Sequence, residues 1–212
     1  MSEIHNKIVS YFDNKENPII LDLGTYLLED ISVFAEQFPN SICFAFEADP
    51  RNIANIRKSK YPSNVNVIEG AIGNTDGLVD FYPSEKIDWT KNWNLSGSIR
   101  KPKEHLTEYT VSFGKSFSIN CQRLDTWYKG SSIYRKPIEL IYSDLNGAEG
   151  DMLMGGTETL RNTHLIYVEC FDKELYGGQK NTQWIHEYLS NLGFDYLFDN
   201  GNNRLYRNKS NG

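Results

Sequence analysis

The sequence predicts an α/β fold: a mostly parallel sheet with crossover helices, closed by one antiparallel hairpin. Three observations predict it. Short apolar runs alternate with segments of helical spacing along the chain. Some of these runs, such as Ile42-Cys43-Phe44-Ala45-Phe46, are continuously apolar, the kind buried on both faces. The chain ends in two strand-like runs around an Asn-Gly-rich turn, Asp199-Asn200-Gly201-Asn202-Asn203.

Taken in order, Ile19-Ile20-Leu21-Asp22-Leu23 reads as a first strand stopped by Gly24. Residues 29–38 place Ile31, Phe34, Ala35 and Phe38 at helical spacing, and Pro39 ends that helix. The apolar run 42–46 is the second strand. Pro50 opens a helix at its first turn, carrying Ile53, Ala54 and Ile56. Val65-Asn66-Val67-Ile68 is a third strand, and Leu78-Val79-Asp80-Phe81-Tyr82 alternates like an edge strand. Residues 84–116 have no clear period and read as an irregular insertion carrying Trp89, Trp93 and His105. A long connection of this kind is usually a binding loop or lid. Phe117-Ser118-Ile119-Asn120-Cys121 alternates again. Residues 138–142 form a strand, 147–160 a helix, and 164–168 another strand. Residues 182–192 form a helix capped by Gly193. Tyr196-Leu197-Phe198 and Arg204-Leu205-Tyr206 make the hairpin. One domain accounts for the whole of 1–212.

Composition bounds the function. The 212 residues carry 22 Lys and Arg against 28 Asp and Glu, a formal charge of -6. An acidic chain without a basic run does not suit a nucleic-acid partner. The start has no basic region followed by an apolar stretch, so no signal peptide is expected. No apolar run approaches the roughly 20 residues of a membrane span. Cys43, Cys121 and Cys170 are far apart and form no CxxC pair, which points to buried reduced thiols in a cytoplasmic protein.

In an open parallel sheet, ligands bind at the carboxyl ends of the strands. Acidic residues recur at these ends: Asp22, Glu47, Asp144 and Glu169. Glu47 ends the second strand, placed as a carboxylate that grips a ribose diol would be. The dinucleotide fingerprint is missing, because Gly24 is followed by Thr25-Tyr26-Leu27-Leu28. A nicotinamide cofactor is therefore disfavoured. A ribose-bearing ligand without phosphates fits better, and S-adenosylmethionine is the common one.

These residues resemble the FkbM-type S-adenosylmethionine-dependent methyltransferases, over roughly residues 17–207. The ordered motifs are Leu21-Asp22-Leu23-Gly24, Phe46-Glu47-Ala48-Asp49-Pro50, Ala71-Ile72-Gly73 and Ser96-Gly97-Ser98. Arg123-Leu124-Asp125-Thr126-Trp127, Asp144-Leu145-Asn146-Gly147-Ala148-Glu149 and Tyr167-Val168-Glu169 follow. The resemblance implies a Rossmann-like, seven-stranded methyltransferase fold. It also implies O-methylation of a hydroxyl on a sugar, polysaccharide or secondary metabolite. Carried over by position, Asp22 and Gly24 border the methionine part of the cofactor, and Thr25 belongs to the same cofactor-binding set. Glu47 holds the ribose hydroxyls, Ala71 lines the adenine, and Ser96 and Ser98 join the cofactor-binding set. Asp144 sits beside the transferring methyl. Two positions depart from the pattern. Leu28 stands where a second glycine is usual, which puts bulk against the methionine half of the cofactor. Asn146 replaces a carboxylate by an amide. An active O-methyltransferase and a non-catalytic relative that keeps the fold as a binding or assembly module both remain open.

A sugar hydroxyl is a weak acid, so transfer needs a positioned base or a metal. Asp144 is the expected base, with helix capping as its competing role, and Glu149 and Glu169 are the reserves. Asp144 with Glu169 could also hold a hard cation such as Mg²⁺, but no ligand run accompanies them and no metal is expected. His5, His105, His164 and His186 have no metal spacing. Of these only His105 is a candidate near substrate, with a solvated loop position as its plainer reading. Trp89 and Trp93 either stack on a sugar ring or anchor the loop. Tyr176 and Gln179 can reach the same rim. The expected acceptor is a small-molecule or glycan hydroxyl.

Overall fold

The computed structural model describes residues 3–88 and 90–209. In chain order, α1 (Glu3–Val9) precedes β1 (Ile19–Leu23), α2 (Glu29–Gln37), β2 (Ile42–Glu47), α3 (Pro50–Ile56) and β3 (Val65–Glu69). Next come β4 (Ala71–Gly73), β5 (Gly77–Phe81), β6 (Ser84–Ile87), β7 (Lys91–Asn92), α4 (His105–Glu108), β8 (Val111–Phe113) and β9 (Phe117–Arg123). Then follow α5 (Leu124–Gly130), β10 (Ile138–Ser143), α6 (Glu149–Gly155), α7 (Thr157–Arg161) and β11 (Thr163–Glu169). The last elements are α8 (Thr182–Asn191), β12 (Phe194–Asn200) and β13 (Asn203–Asn208).

Seven strands form the main sheet in the order β12-β13-β11-β10-β1-β2-β3. The five from β3 to β11 pair in parallel, and β13 runs antiparallel to both β11 and β12. This is the predicted architecture. The chain steps from β1 outward to β3, then returns to β10 on the other side of β1. The ends of β1 and β10 therefore flank the crevice where strand order reverses.

The strand period of two sends alternate residues to opposite faces. Leu21, Leu23, Phe44, Phe46, Ile141 and Ile166 pack against Trp127, Met152, Leu153 and Ile185. Ile20, Cys43, Ala45, Leu140 and Leu165 pack against Ile8 of α1 and Ile31 and Phe34 of α2. Each large apolar side chain so buried contributes about 1.5–3 kcal/mol. All three cysteines are buried and free, as expected.

Several elements differ from expectation. The helix expected over 147–160 is two helices, α6 and α7, because Gly155-Gly156 breaks it and Gly156 becomes the N-cap of α7. Helix α1 was not expected. At seven residues it is too short to show a helical period, and tertiary burial of Ile8 and Val9 holds it. The two edge strands, β5 and β9, pair antiparallel as a separate three-stranded sheet with β4. Residues 84–116 are not structureless. They fold as β6, β7 and β8 in a third small sheet, with α4 between β7 and β8. Trp89 lies outside the described residues. No described helix is long and apolar enough to cross a membrane.

Candidate active site

The end of β1 is shaped by a turn over its neighbour. The N–H groups of Gly24 and Thr25 both donate to the carbonyl of Phe46, at 3.0 and 2.9 Å. The Asp144 N–H donates to the Leu23 carbonyl at 3.0 Å, so the ends of β1, β2 and β10 are tied together. Gly24 has φ of 89°, and a Cβ there would overlap the Asp144 carbonyl oxygen. Only glycine fits this close approach.

Beyond this turn opens a cavity lined by these strand ends. Glu47 lines one side. Its Oε2 accepts the Tyr26 N–H at 2.8 Å and its Oε1 the Asp49 N–H at 2.7 Å. With the Asn52 side chain also donating, the carboxylate keeps acceptor capacity for a ligand hydroxyl. Burial pushes the carboxyl up to about 7, partly offset by hydrogen bonds from the Asp49 backbone and the Asn52 side chain. Asp49 also caps α3 by accepting the Arg51 N–H, and Pro50 stands at the first helical position. The sequence Glu-x-Asp-Pro thereby fixes where strand ends and helix begins. Phe46, Ala71 and Ile72 supply an apolar wall, and Ser98 and Asn146 close the far side.

A second cavity lies beyond that far side. Trp93, Ser96, His105, Tyr109, Phe171 and Tyr176 are in its wall. Leu95, Asp144 and Asn146 line both cavities. Asn146 is pinned there, its Nδ2 donating to the Leu95 carbonyl at 3.0 Å and its own carbonyl accepting the Ser98 hydroxyl at 2.7 Å. Tyr176 donates its hydroxyl to the Ser96 carbonyl at 2.8 Å. Trp93 donates its ring N–H to the Ser96 hydroxyl at 2.8 Å.

Asp144 lines both cavities and stands beside two more carboxyls. Ligand oxygens of Asp144, Glu149 and Glu169 lie within 4.8 Å of one another, a spacing at which they could hold a metal ion. Burial pushes all three up, Glu149 to about 8. The charge of Asp144 pushes Glu169 further, and the hydrogen bond between them pulls Asp144 back. Two carboxyls this close share a proton. Of the two, Glu169 is pushed up, on top of burial, by the charge of Asp144 and by their hydrogen bond. Glu149 spends Oε1 on the N–H groups of Leu145 and Gly147, at 2.8 and 3.3 Å. It fixes the turn after β10 rather than facing either cavity.

Of the residues singled out in the sequence, Gly24, Glu47, Ala71, Ser98 and Asp144 are brought together around the first cavity. Glu169 and Ser96 line the second. Asp22 and Thr25 stand one layer back. The Thr25 hydroxyl donates to Asp22 Oδ2 at 2.5 Å, and burial pushes Asp22 up to about 8. This buried pair braces the turn from beneath and lines neither cavity. Leu28 corrects its expectation. It takes φ of 68°, the conformation a glycine would take, yet its side chain is 2% exposed in the core with Ile20 and Ile31. Its bulk points away from the cavity. His105 is not a solvated loop residue, being 6% exposed. Gln179 is occupied within its own turn, accepting the Tyr176 N–H and donating to the Lys173 carbonyl. Asn52 was missed. It is 3% exposed and lines the first cavity. Its signal was a polar residue four before Ile56, on the inward face of α3.

The pattern of the methyltransferase FkbM domain family matches residues 26–196. The 2-O-methyltransferase NoeI of Sinorhizobium fredii (strain NBRC 101917 / NGR234) is 39% identical over 201 residues, 94% of this chain and 82% of that protein. Among solved structures, one named as an S-adenosylmethionine dependent methyltransferase, from Listeria monocytogenes, superposes with a TM-score of 0.51 at 8% identity. That match covers 96% of this chain and 97% of the other. EvdMO1 also superposes with a TM-score of 0.51, at 11% identity, over 97% of this chain and 39% of its own. At such identities the two structures speak for the fold alone.

Proposed function

The chain belongs to the FkbM methyltransferase family, and from that premise we propose that it transfers a methyl group from S-adenosylmethionine to a hydroxyl of a sugar-like acceptor. One observation carries the reading. Two cavities meet at Asp144, one with the donor set of a nucleoside site and the other walled by aromatic rings.

The first cavity fits the cofactor by its chemistry. Glu47 offers its remaining acceptor capacity to the ribose hydroxyls, Phe46, Ala71 and Ile72 offer an apolar slot to adenine, and Asp144 offers negative charge to a cationic centre. No glycine-rich phosphate cradle is present in the sequence, in keeping with a ligand that lacks phosphate. When bound, S-adenosylmethionine supplies the methyl group.

The protein's own part is alignment, proton removal and exclusion of water. Asp144, which lines both cavities, accepts the proton of the acceptor hydroxyl. Glu169 returns its hydrogen bond to Asp144 and limits the desolvation of that charge. Leu95 and Asn146 form the rest of the shared wall and keep the acceptor from sliding into the first cavity. Trp93, fixed by Ser96, presents a ring on which the apolar face of a pyranose stacks. Oxygen as the receiving atom is supported by the name of the relative NoeI, a 2-O-methyltransferase. Asn146 keeps the turn after β10 in place by its amide and carbonyl contacts, so the missing carboxylate does not dismantle the site.

A thermal melt tests the donor. S-adenosylmethionine or S-adenosylhomocysteine at about 100 times its dissociation constant adds about 2.7 kcal/mol of stability. For a chain of this size that raises Tm by about 5–10 °C. NAD should leave Tm unmoved. No shift with either sulfur ligand defeats the proposal.

A further inference from the structure

His105 sits where the roof of the second cavity is fastened to its floor. Its N–H donates to the Leu175 carbonyl at 3.2 Å, and the Lys103 N–H donates to the same oxygen at 2.8 Å. Pro102 bridges to Tyr176, and the ion pairs Lys103–Glu174 and Lys173–Glu108 flank the seam. The imidazole is enclosed by Tyr109, Tyr176 and Phe113, with ring centroids at 5.0, 5.2 and 5.5 Å. It lines the same cavity as Asp144 and Glu169.

A histidine this enclosed normally has both nitrogens satisfied or one exposed to bulk water. Here Nδ1 is sealed off without a hydrogen-bond partner among the described residues. Burial holds the ring below its usual range, so it is neutral at pH 7. An orphaned buried N–H is rarer than an orphaned lone pair. The tautomer that avoids an orphaned N–H leaves the lone pair at Nδ1 and places the N–H on Nε2.

We propose that His105 is a specificity-determining residue of the acceptor cavity, donating from Nε2 to a second hydroxyl of the acceptor while Asp144 takes the proton of the one that is methylated. The inference rests on the reading of this cavity as the acceptor site. It adds that a second hydroxyl of the acceptor, at one position, is read by the imidazole. The aromatic enclosure restricts the ring, so the bond selects by position as well as by presence.

The test uses a panel of methyl hexopyranosides with labelled S-adenosylmethionine and the full chain. Against the best-used pyranoside, His105→Ala should raise KM about ten-fold, with kcat and cofactor affinity unchanged. His105→Gln, which carries an N–H donor of similar reach, should recover most of that loss. One monodeoxy analogue should show the same KM with wild type and His105→Ala, identifying the hydroxyl that is bound. In the unaltered protein, the His105 ring nitrogen resonances should shift when the pyranoside is added. An unchanged KM, a loss that every monodeoxy analogue preserves, or unmoved resonances overturns the inference and leaves methyl transfer standing. If no pyranoside is methylated by protein that binds S-adenosylmethionine, the inference falls together with the acceptor class, while the donor reading survives.

Discussion

Gly24, at the end of β1, presses its α-carbon against the carbonyl oxygen of Asp144, at the end of β10. The two strands at the reversal of sheet order are thus held closer than any side chain permits. Gly24→Ala forces both a left-handed φ on alanine and a clash with backbone. We expect it to cost about 2–4 kcal/mol, from strain and overpacking together. Urea unfolding measures this, and a loss under about 0.5 kcal/mol would show that the approach is not tight.

Leu28→Gly separates backbone strain from cofactor contact. Glycine relieves the left-handed φ by about 1–2 kcal/mol, but removing the buried side chain costs about 2–5 kcal/mol. The expected net loss is about 1–3 kcal/mol. Affinity for S-adenosylhomocysteine should stay within two-fold, since the side chain lies in the core. A large gain in affinity would mean that Leu28 does crowd the cofactor.

Stability of the unliganded protein should fall as pH rises. Burial holds Asp22 near 8, Glu47 near 7 and Glu149 near 8, and raises Asp144 and Glu169 as well. In the unfolded chain these groups titrate near 4. Their protonated forms favour the fold, so the contribution is complete below about pH 4 and is lost as pH passes through 7 to 8. His105, held low by burial, pulls the other way only below about pH 6.5. Asp76 and Glu174 also shift oppositely, but both are exposed and screened. The urea midpoint should therefore decline between pH 6 and 9. A midpoint that climbs over that range contradicts the burial of these carboxyls as uncharged groups.

Much of the parallel sheet was legible because its strands are continuous apolar runs. The hairpin was legible because Asn200-Gly201 has one good use between two strands. Glu47 and Asp144 were legible as strand-end carboxylates, a position in the chain that fixes a position in space. What the sequence hid was set by tertiary contact. Asp22 and Thr25 have the right place in the chain, but strand alternation turns Asp22 into the protein, where Thr25 meets it. Leu28 has a glycine's backbone without a glycine's sequence. His105 belongs to a segment with no period, and only the pairing of residues 102–105 with Leu175 and Tyr176 brings it to the cavity.

Asp144→Asn keeps the shape of the shared wall and removes the proton acceptor. Turnover should fall about 10²–10⁴-fold, the range of general-base catalysis, with cofactor affinity nearly unchanged. Full activity in this variant would move the base elsewhere, and Glu169 in the same cavity would be examined next by Glu169→Gln.

In the proposed function the first cavity is the cofactor site, with Glu47 holding the ribose. Isothermal titration of S-adenosylhomocysteine into wild type and Glu47→Ala tests this most directly. The ionised carboxylate is the better acceptor, and its pKa is about 7. Wild-type affinity should accordingly rise from pH 6 to 8, while Glu47→Ala should bind about 10- to 100-fold more weakly at pH 8, for one charge-assisted hydrogen bond lost, with no such rise. Equal affinity of the two proteins across that range would contradict the assignment of the cavity.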